Sequence, residues 1–359
     1  MTRLRVLDFG LVSALRSQAV YHGLAETVTA ESDPMLSLAS PETPYVCVGL
    51  HQEIDREVDT AYCIAQNLPV YRRHVGGGAV YLDRNQLFTH FVFPRKRAPQ
   101  HAHELYPLFI EPVVRTYRDF GIAATYRPIN DIHVDGRKIG GTGAASIGNA
   151  TVMVGSFMFD FDTETMSKCL RVPSEKFRDK LRQTMDDFMT TIVKQVETPP
   201  ARDALLDRFF FHCQEVLGLE PVIDQPTDAE WKAIETAESD LLDPEFIEMQ
   251  GRKQVALGVK IAADTHLTES MMKAPGGLIR VHLLNREGKI ADLMISGDMT
   301  CLPPDGLDRL AVALRGVDLN EHAIIEAAER LLDSEEIETP GVSATDFANA
   351  IMAAVEPAP

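Results

Sequence analysis

Residues 72–83 read Arg72-Arg73-His74-Val75-Gly76-Gly77-Gly78-Ala79-Val80-Tyr81-Leu82-Asp83. Three consecutive glycines in a β-rich context each cost about 1 kcal/mol of backbone entropy relative to alanine, so some interaction must offset this cost. Bare backbone lets successive N–H groups converge on an anion, and the two arginines add positive charge. The pattern predicts a phosphate or carboxylate cradle between two strands. The alternative is a glycine-rich hairpin bend with solvated arginines.

A second glycine-rich segment reads Asn130-Asp131-Ile132-His133-Val134-Asp135-Gly136-Arg137-Lys138-Ile139-Gly140-Gly141. Asp135-Gly136 is a strong signal for a tight hairpin turn between two strands. A lone lysine on a hairpin is most often solvated, but Lys138 lies between this turn and a glycine cluster, where it could bridge a carboxylate and a phosphate. Asn130 and Asp131 offer oxygen ligands to Mg²⁺. Two glycine-rich segments, each with a cation, indicate an activated acyl or phosphoryl ligand.

The composition is that of an ordinary globular chain. Its 359 residues contain 35 Lys and Arg against 53 Asp and Glu, a formal net charge of −18. The length predicts two domains, and we place them at 1–243 and 244–359. The acidic balance argues against binding to nucleic acid or an anionic membrane. There is no apolar run long enough to cross a bilayer and no signal peptide at the start, so we expect a cytoplasmic protein.

Hydrophobic periodicity predicts an α/β (α+β) fold, in which a mixed β-sheet with flanking helices is followed by a small α+β domain. In the first part we expect a strand at 4–7, a loop at 32–44, strands at 70–73 and 79–82 flanking the glycines, a long apolar strand at 151–161, and helices at 11–29, 103–120, 202–217 and 227–241. In the second part we expect strands at 254–263 and 278–296, the latter turning at Glu287-Gly288, and helices at 305–314, 320–332 and 344–355.

Several kinds of site are excluded by spacing. The five cysteines are widely separated and include no C-x-x-C pair, which predicts reduced, mostly buried thiols and neither a zinc site nor a disulfide framework. There is no G-x-S-x-G, so a serine hydrolase is unsupported. The triple glycine is not a P-loop, because no Gly-Lys-Ser/Thr follows it.

Four ordered motifs together resemble the lipoate–protein ligase A group of the biotin/lipoate ligase superfamily. Residues 72–83 follow that family's R-R-x-x-G-G-G-x-V-x-H-D pattern, and residues 130–141 follow its N-D-(I/L)…G-x-K-(I/V)-x-G pattern. Residues 48–52 resemble its V-x-G-x-x-Q strand, and residues 170–177 its L-x-V-P-x-x-K-(F/L) segment. The part after residue 243 resembles the small accessory domain that many such ligases carry.

This resemblance implies a catalytic domain similar to that of biotin and lipoate ligases, and a two-step reaction. Lipoate would react with ATP and Mg²⁺ to give lipoyl-adenylate, and a lysine of an acceptor protein, a glycine cleavage H-like protein or an E2 lipoyl domain, would then take the lipoyl group. Lys138 would be the catalytic residue and Asp131 a Mg²⁺ ligand. The residues implied to bind ATP and the lipoyl-adenylate are Arg73, Gly76, Gly77, Gly78, Ala79, Val80, Tyr81, Asn130, Lys138 and Gly141.

The chain departs from the family pattern at a few positions. Leu82 and Val154 stand where the family has histidines, and its arginine-containing segment is replaced by residues 184–189. Two alternatives therefore stay open. One is an octanoyl- or lipoyl-transferase that takes the acyl group from a carrier without ATP, although the cysteine nucleophile of such enzymes is missing near Lys138. The other is a non-catalytic homologue that binds an acyl group or a nucleotide.

Overall fold

The computed structural model describes residues 3–248, 260–262, 265–334 and 337–355, and the chain separates into two units. The first consists of Met1–Val48, Asp55–Arg73 and Ala79–Asp243. The second consists of Gly49–Ile54, His74–Gly78 and Pro244–Pro359. Two short segments from the N-terminal part, one of which carries the triple glycine, thus pack with the C-terminal part. The division at 243/244 into functional domains stays a prediction.

The first unit contains a six-stranded mixed sheet and two three-stranded sheets. Its strands are β1 (Arg3–Val12), β2 (Met35–Pro41), β3 (Tyr45–Val48), β4 (Val70–Arg72), β5 (Val80–Leu82), β6 (Gln86–Pro94), β7 (Thr125–Arg127), β8 (Asp131–Val134), β9 (Arg137–Gly141), β10 (Gly143–Ile147), β11 (Ala150–Met158) and β12 (Glu220–Asp224). The large sheet has the order β10-β11-β6-β2-β1-β12, and the small ones are β4-β3-β5 and β7-β8-β9.

Helices connect these strands. They are α1 (Ala14–Glu26), α2 (Ile54–Glu57), α3 (Thr60–Ala65), α4 (Ala102–Asp119), α5 (Thr163–Cys169), α6 (Glu175–Phe188), α7 (Ile192–Gln195), α8 (Arg202–Leu217) and α9 (Asp228–Leu241). The prediction for α8 is confirmed to the residue. That for α9 is confirmed within one residue, because Thr227 caps the helix in a capping box with Glu230. Among the described residues, no helix is both long and apolar enough to span a membrane.

Apolar packing on both faces holds the large sheet. Every residue of β2 and β6 is buried, as expected for central strands that are covered on both sides. Aromatic rings from β6, β11, α4 and α8 form the core, with Phe91 and Phe109 at 4.9 Å and Phe157 and Phe209 at 5.1 Å between ring centroids. Phe91 and Phe109 of this core also line the pocket of the candidate site.

Two local predictions are wrong. The segment 32–44 is not a loop, because Met35–Pro41 forms β2 between β1 and β6; its serines are accommodated inside, where Ser37 bonds His90 at 3.1 Å. The strands β4 and β5 on either side of the glycines do not form a hairpin either. Both pair with β3, β4 in parallel and β5 antiparallel, so the chain between them crosses over β3.

The second unit is an antiparallel sheet with helices. Its strands β13 (Lys260–Ala262), β14 (Thr265–Ala274), β15 (Gly277–Arg286) and β16 (Lys289–Gly297) pair in sequence order, and its helices are α10 (Pro244–Glu248), α11 (Gly306–Ala313), α12 (Glu321–Ser334) and α13 (Ala344–Val355). The predicted turn is confirmed, with Glu287 and Gly288 at φ 51° and 74°. The strand predicted at 254–263 lies mostly outside the described residues.

Candidate active site

The β8–β9 hairpin positions Lys138. Asp135 and Gly136 have φ values of 49° and 78°, which confirms the predicted tight turn, since both central residues of a type I′ turn need positive φ. The register shifts within the hairpin, so that Ile132 pairs with Gly140 but His133 pairs with Lys138. Ile139 is the extra residue of this bulge and is buried. Bulges re-aim neighbouring side chains, and here Lys138 lies on the same face as His133.

An ion pair holds the Lys138 side chain in place. Its Nζ lies 2.7 Å from Asp131 Oδ1, and the two side chains are 40 % and 29 % exposed. The other carboxylate oxygen of Asp131 lies 3.6 Å from Nε2 of the buried His133. The backbone of Lys138 is fixed as well, because Thr190 N–H donates to its carbonyl at 2.8 Å. The result is an oriented ammonium group that solvent or a ligand can reach.

Two other predicted residues support this arrangement. A Cβ at Gly141 would lie 3.0 Å from Lys138 Nζ, so glycine there leaves room for the ammonium. Asn130 Nδ2 donates to the carbonyl of Thr142 at 2.7 Å, and Thr142 returns bonds from its N–H and hydroxyl to the carbonyl of Asn130. Asn130 therefore fixes Thr142, a residue that the sequence analysis did not single out.

Thr142 lines an apolar pocket in the first unit. The pocket has about 240 Å³ of empty volume, part of it open to solvent, and is lined by Thr89, Phe91, Phe109, Val113, Ile132, Thr142, Met153, Gly155 and Ser156. The lining is mostly apolar, with Thr89, Thr142 and Ser156 as its polar side chains.

Gly155 of the pocket lies close to the strand that carries Lys138. Gly155 pairs with Thr89 across β6 and β11, and a Cβ at Gly155 would lie 3.2 Å from Thr142 Cγ2 and 3.9 Å from the carbonyl of Gly141. Gly141 in turn adjoins Lys138 Nζ. Ile132 lines the pocket from the β8–β9 hairpin, and its neighbours Asp131 and His133 lie on the other face of the hairpin together with Lys138.

The residues around Asp131 do not form a metal cage of their own. Among the residues that the structure describes, no group of three or more His, Cys, Asp and Glu side chains is arranged to hold a metal ion. Mg²⁺ needs only one or two protein carboxylates when phosphates and water supply its other ligands. Asp131, already paired with Lys138, can provide at most one such ligand, so Mg²⁺ would arrive with nucleotide phosphates.

The glycine loop, residues 74–78, lies in the second unit. A Cβ at Gly76 would lie 2.6 Å from the carbonyl oxygen of Met299 and 2.9 Å from Thr300 Cα, while Gly77 has φ of 95°. Close backbone packing and positive φ thus account for two of the three glycines. A Cβ at Gly78 would meet only the side chain of Asp298, at 3.9 Å. Binding of an anion is not needed to explain Gly76 and Gly77, and it stays a prediction.

The arginines and the residues after the glycines lie in the first unit. The alternative of solvated arginines is wrong for Arg72, which is 1 % exposed. Arg73 N–H donates to the carbonyl of Val48 at 3.0 Å, and its Nη1 to that of Cys47 at 3.1 Å. Ala79 directly precedes β5, in which Val80 pairs with Cys47 and Tyr81 pairs with Val46. These contacts fix the path of the chain on both sides of the glycine loop.

The thiols are buried. All five cysteines are free and buried, as predicted. Burial raises the pKa of Cys47 and of Cys213, and that of Cys301 to about 12. A nucleophilic cysteine needs an accessible site that favours the thiolate. These three thiols are buried, and burial favours their protonated form.

Sequence comparison identifies both parts of the chain. The family described as lipoyl protein ligase A/B catalytic domain matches residues 13–214, and the bacterial lipoate protein ligase C-terminus matches residues 268–351. The lipoate-protein ligase LplJ of Bacillus subtilis is 29 % identical over 259 residues, which cover 71 % of this chain and 73 % of LplJ. The octanoyltransferase LipM of Kyrpidia tusciae is 26 % identical over 245 residues, 60 % of this chain and 89 % of LipM.

Solved structures have the same fold. A bi-partite lipoate protein ligase from Thermoplasma acidophilum, described with its E2 lipoyl domain, has a TM-score of 0.64 at 23 % identity and covers 71 % of this chain and all of that one. A lipoate-protein ligase A bound with ATP has a TM-score of 0.58 at 20 % identity and covers 66 % of this chain and 94 % of that one. The predicted fold class, a mixed sheet with helices and a small C-terminal α+β domain, is confirmed.

Proposed function

This chain belongs to the lipoyl protein ligase A/B family, and we propose that it uses ATP to convert lipoate into lipoyl-adenylate and then transfers the lipoyl group to a lysine of an acceptor protein. The observation that carries this proposal is that the first unit holds both an ion-paired, partly exposed ammonium, that of Lys138, and an apolar pocket. An amphiphilic acid needs both features, one for its tail and one for its carboxylate.

Lys138 acts in both steps of the proposed reaction. In the first step a carboxylate oxygen of lipoate attacks the α-phosphorus of ATP, and pyrophosphate leaves. In the second step the acceptor amine attacks the acyl carbon, and AMP leaves with the electrons of the broken C–O bond. Negative charge grows on phosphate oxygens in one step and on the acyl oxygen in the other. A fixed ammonium stabilises both, because it needs no reorganisation during reaction.

The remaining site residues belong to the same proposal. The residues proposed to bind ATP and the adenylate are Arg73, Gly76, Gly77, Gly78, Ala79, Val80, Tyr81, Asn130 and Gly141. Support for ATP comes from the similar ligase that binds it. Mg²⁺ would neutralise the phosphates, with Asp131 as one ligand.

The acceptor is proposed to be a small lipoyl domain, of the E2 or glycine cleavage H type. This rests on the Thermoplasma ligase of similar fold, which was described together with its E2 lipoyl domain. A cytoplasmic location stays a prediction.

An octanoyltransferase is the second candidate, favoured by the similarity to LipM. That chemistry would need an acyl-carrier donor and, in the usual mechanism, a thiolate nucleophile. The burial of all five thiols favours the ligase instead. A non-catalytic homologue would bind the same ligands, so only transfer of the acyl group distinguishes it from the ligase.

The experiment that separates these functions is acyl transfer to a purified lipoyl domain, followed by intact mass. We expect the lipoyl mass increment with lipoate, ATP and Mg²⁺, and none when octanoyl-carrier protein replaces lipoate and ATP. Modification from the carrier alone would establish the transferase. No modification under either condition, by folded protein and several acceptor domains, would favour the non-catalytic homologue.

A further inference from the structure

The second unit contains a buried carboxylate that is not part of the site formed by Lys138 and the apolar pocket. Glu53 lies in the segment Gly49–Ile54, which we call the upstream loop, and is 5 % exposed. Its Oε1 accepts a hydrogen bond from the hydroxyl of Ser296 at 2.5 Å and lies 3.2 Å from Nε2 of His282. Nη1 of Arg280 lies 3.7 Å from the same oxygen. All three partners are on β15 and β16.

This network attaches the upstream loop to the C-terminal sheet. A second bond supports the attachment, because Gly297 N–H donates to the carbonyl of His51 at 3.0 Å. Burying a carboxylate is unfavourable unless it is paired and hydrogen-bonded. Here the attraction exceeds the penalty: although burial raises the pKa of Glu53, the bonds from His282 and Ser296 and the nearby charges lower it to about 2.

The upstream loop in turn supports the glycine loop. Leu50 N–H donates to the carbonyl of Val75 at 3.0 Å. A Cβ at Gly49 would lie 1.9 Å from the carbonyl oxygen of Gly77, so the two loops are packed backbone against backbone. The residues that follow β16 complete this packing, since Met299 and Thr300 approach Gly76. Glu53 is thus linked to the glycine loop through the backbone of residues 50–53 and the hydrogen bond from Leu50 to Val75.

We infer that Glu53 is a positioning residue, which holds the upstream loop on Ser296 and His282 so that the glycine loop keeps the conformation in which it binds nucleotide. The expected change in kinetics rests on the proposed function. The expected loosening of the upstream loop and the glycine loop does not depend on which substrate is bound.

The matched variants are Ser296→Ala and Ser270→Ala. Both serines are buried on the same sheet, and each hydroxyl makes one hydrogen bond, that of Ser296 to Glu53 and that of Ser270 to the carbonyl of Ala350 in α13. Each substitution removes one oxygen atom. Glu53→Gln is the third variant, since it keeps the shape of the side chain and an oxygen acceptor but removes the charge.

The first measurement is amide hydrogen exchange of the full chain without ligand. We expect Ser296→Ala and Glu53→Gln to accelerate exchange in residues 49–54 and 74–78 about tenfold, with β14 and β15 unchanged, because exchange reports local opening. Ser270→Ala should leave both loops at the wild-type rate. Equal protection of the two loops in all variants would overturn the inference.

The second measurement is the kinetics of lipoate-dependent ATP–pyrophosphate exchange. We expect Ser296→Ala and Glu53→Gln to lower kcat/KM for ATP about 10- to 100-fold, mostly through KM, because misplacement by about 1 Å can have that effect. Ser270→Ala should keep wild-type KM. Wild-type KM in Ser296→Ala and Glu53→Gln would overturn the inference. Absence of exchange in the wild-type protein would instead refute the proposed function, and the hydrogen-exchange result would still decide the role of Glu53.

Discussion

Replacing Lys138 by alanine should lower the catalytic rate strongly while changing the stability of the fold very little. The ammonium lies on a hairpin in an ion pair of 2.7 Å whose members are partly exposed. Exposed ion pairs of this kind contribute only about 0–1 kcal/mol to folding. We therefore expect the melting temperature of Lys138→Ala to stay within about 4 °C of the wild-type value.

The catalytic effect is much larger. An ammonium about 4 Å from a developing negative charge stabilises it by about 4 kcal/mol at an effective dielectric constant near 20. This corresponds to a rate factor of about 1,000, close to the about 100- to 1,000-fold loss seen when one donor to an oxyanion is removed from an enzyme. Lys138→Ala should reduce the initial rate of ATP–pyrophosphate exchange by at least about 100-fold.

The chain contains a matched control for this variant. Lys168 pairs with Glu164 at the same distance, 2.7 Å, and its side chain is 42 % exposed, against 40 % for Lys138. Lys168→Ala should keep wild-type exchange activity. The reasoning is refuted if Lys138→Ala retains more than about a tenth of the wild-type rate, or if Lys168→Ala loses as much activity as Lys138→Ala.

Three further predictions concern the pocket, the glycine loop and acid. Gly155→Val should raise the KM for lipoate about tenfold or more, because its Cβ would lie 3.2 Å from Thr142 Cγ2 and 3.6 Å from Thr89 Oγ1; an unchanged KM would mean that the acid binds elsewhere. Gly76→Ala should lower the free energy of unfolding in urea by about 1–3 kcal/mol, because its Cβ would meet the backbone of Met299 and Thr300 at 2.6 and 2.9 Å. Gly78→Ala should change this free energy far less, because the nearest neighbour of its Cβ would be 3.9 Å away. Because the pKa of Glu53 in the folded protein, about 2, is below its ordinary value of 4.5, its contribution to stability is complete above about pH 4.5 and is lost as the pH falls toward 2, about 3 kcal/mol in all. Glu53→Gln should flatten this part of the stability profile, and a profile that is equally steep in the variant would contradict the assignment.

Local signals were sufficient for much of the fold. The Asp135-Gly136 turn, helix α8 and helix α13 follow from turn chemistry, caps and periodicity that act within a few residues. The motif around Lys138 was readable for the same reason, since the turn and the bulge place the lysine and Asp131 on one face of a short hairpin. The sequence singled out both Lys138 and Asp131, but not the ion pair that joins them.

What could not be predicted depends on contacts between distant residues. The segment 32–44 looks like a loop because its serines and prolines are polar or strand-breaking, yet Met35–Pro41 within it forms β2 between β1 and β6. The apolar pocket brings together residues from five separate segments, and the sequence does not show that these segments meet. The sequence cannot indicate that Met299, more than 200 residues after Gly76, packs against it, and the role of Gly76 in ligand binding stays a prediction.

The most direct test of the account is lipoate-dependent exchange of labelled pyrophosphate into ATP, with octanoate and biotin as comparison acids and Lys138→Ala as the inactive control. It needs no acceptor protein and measures only the step in which Lys138 and the apolar pocket are proposed to act together. The account predicts exchange with lipoate, none with biotin, and a loss of at least about 100-fold in the variant. Folded protein that gives no exchange with any of the three acids, or a Lys138→Ala variant that exchanges as fast as wild type, would contradict it.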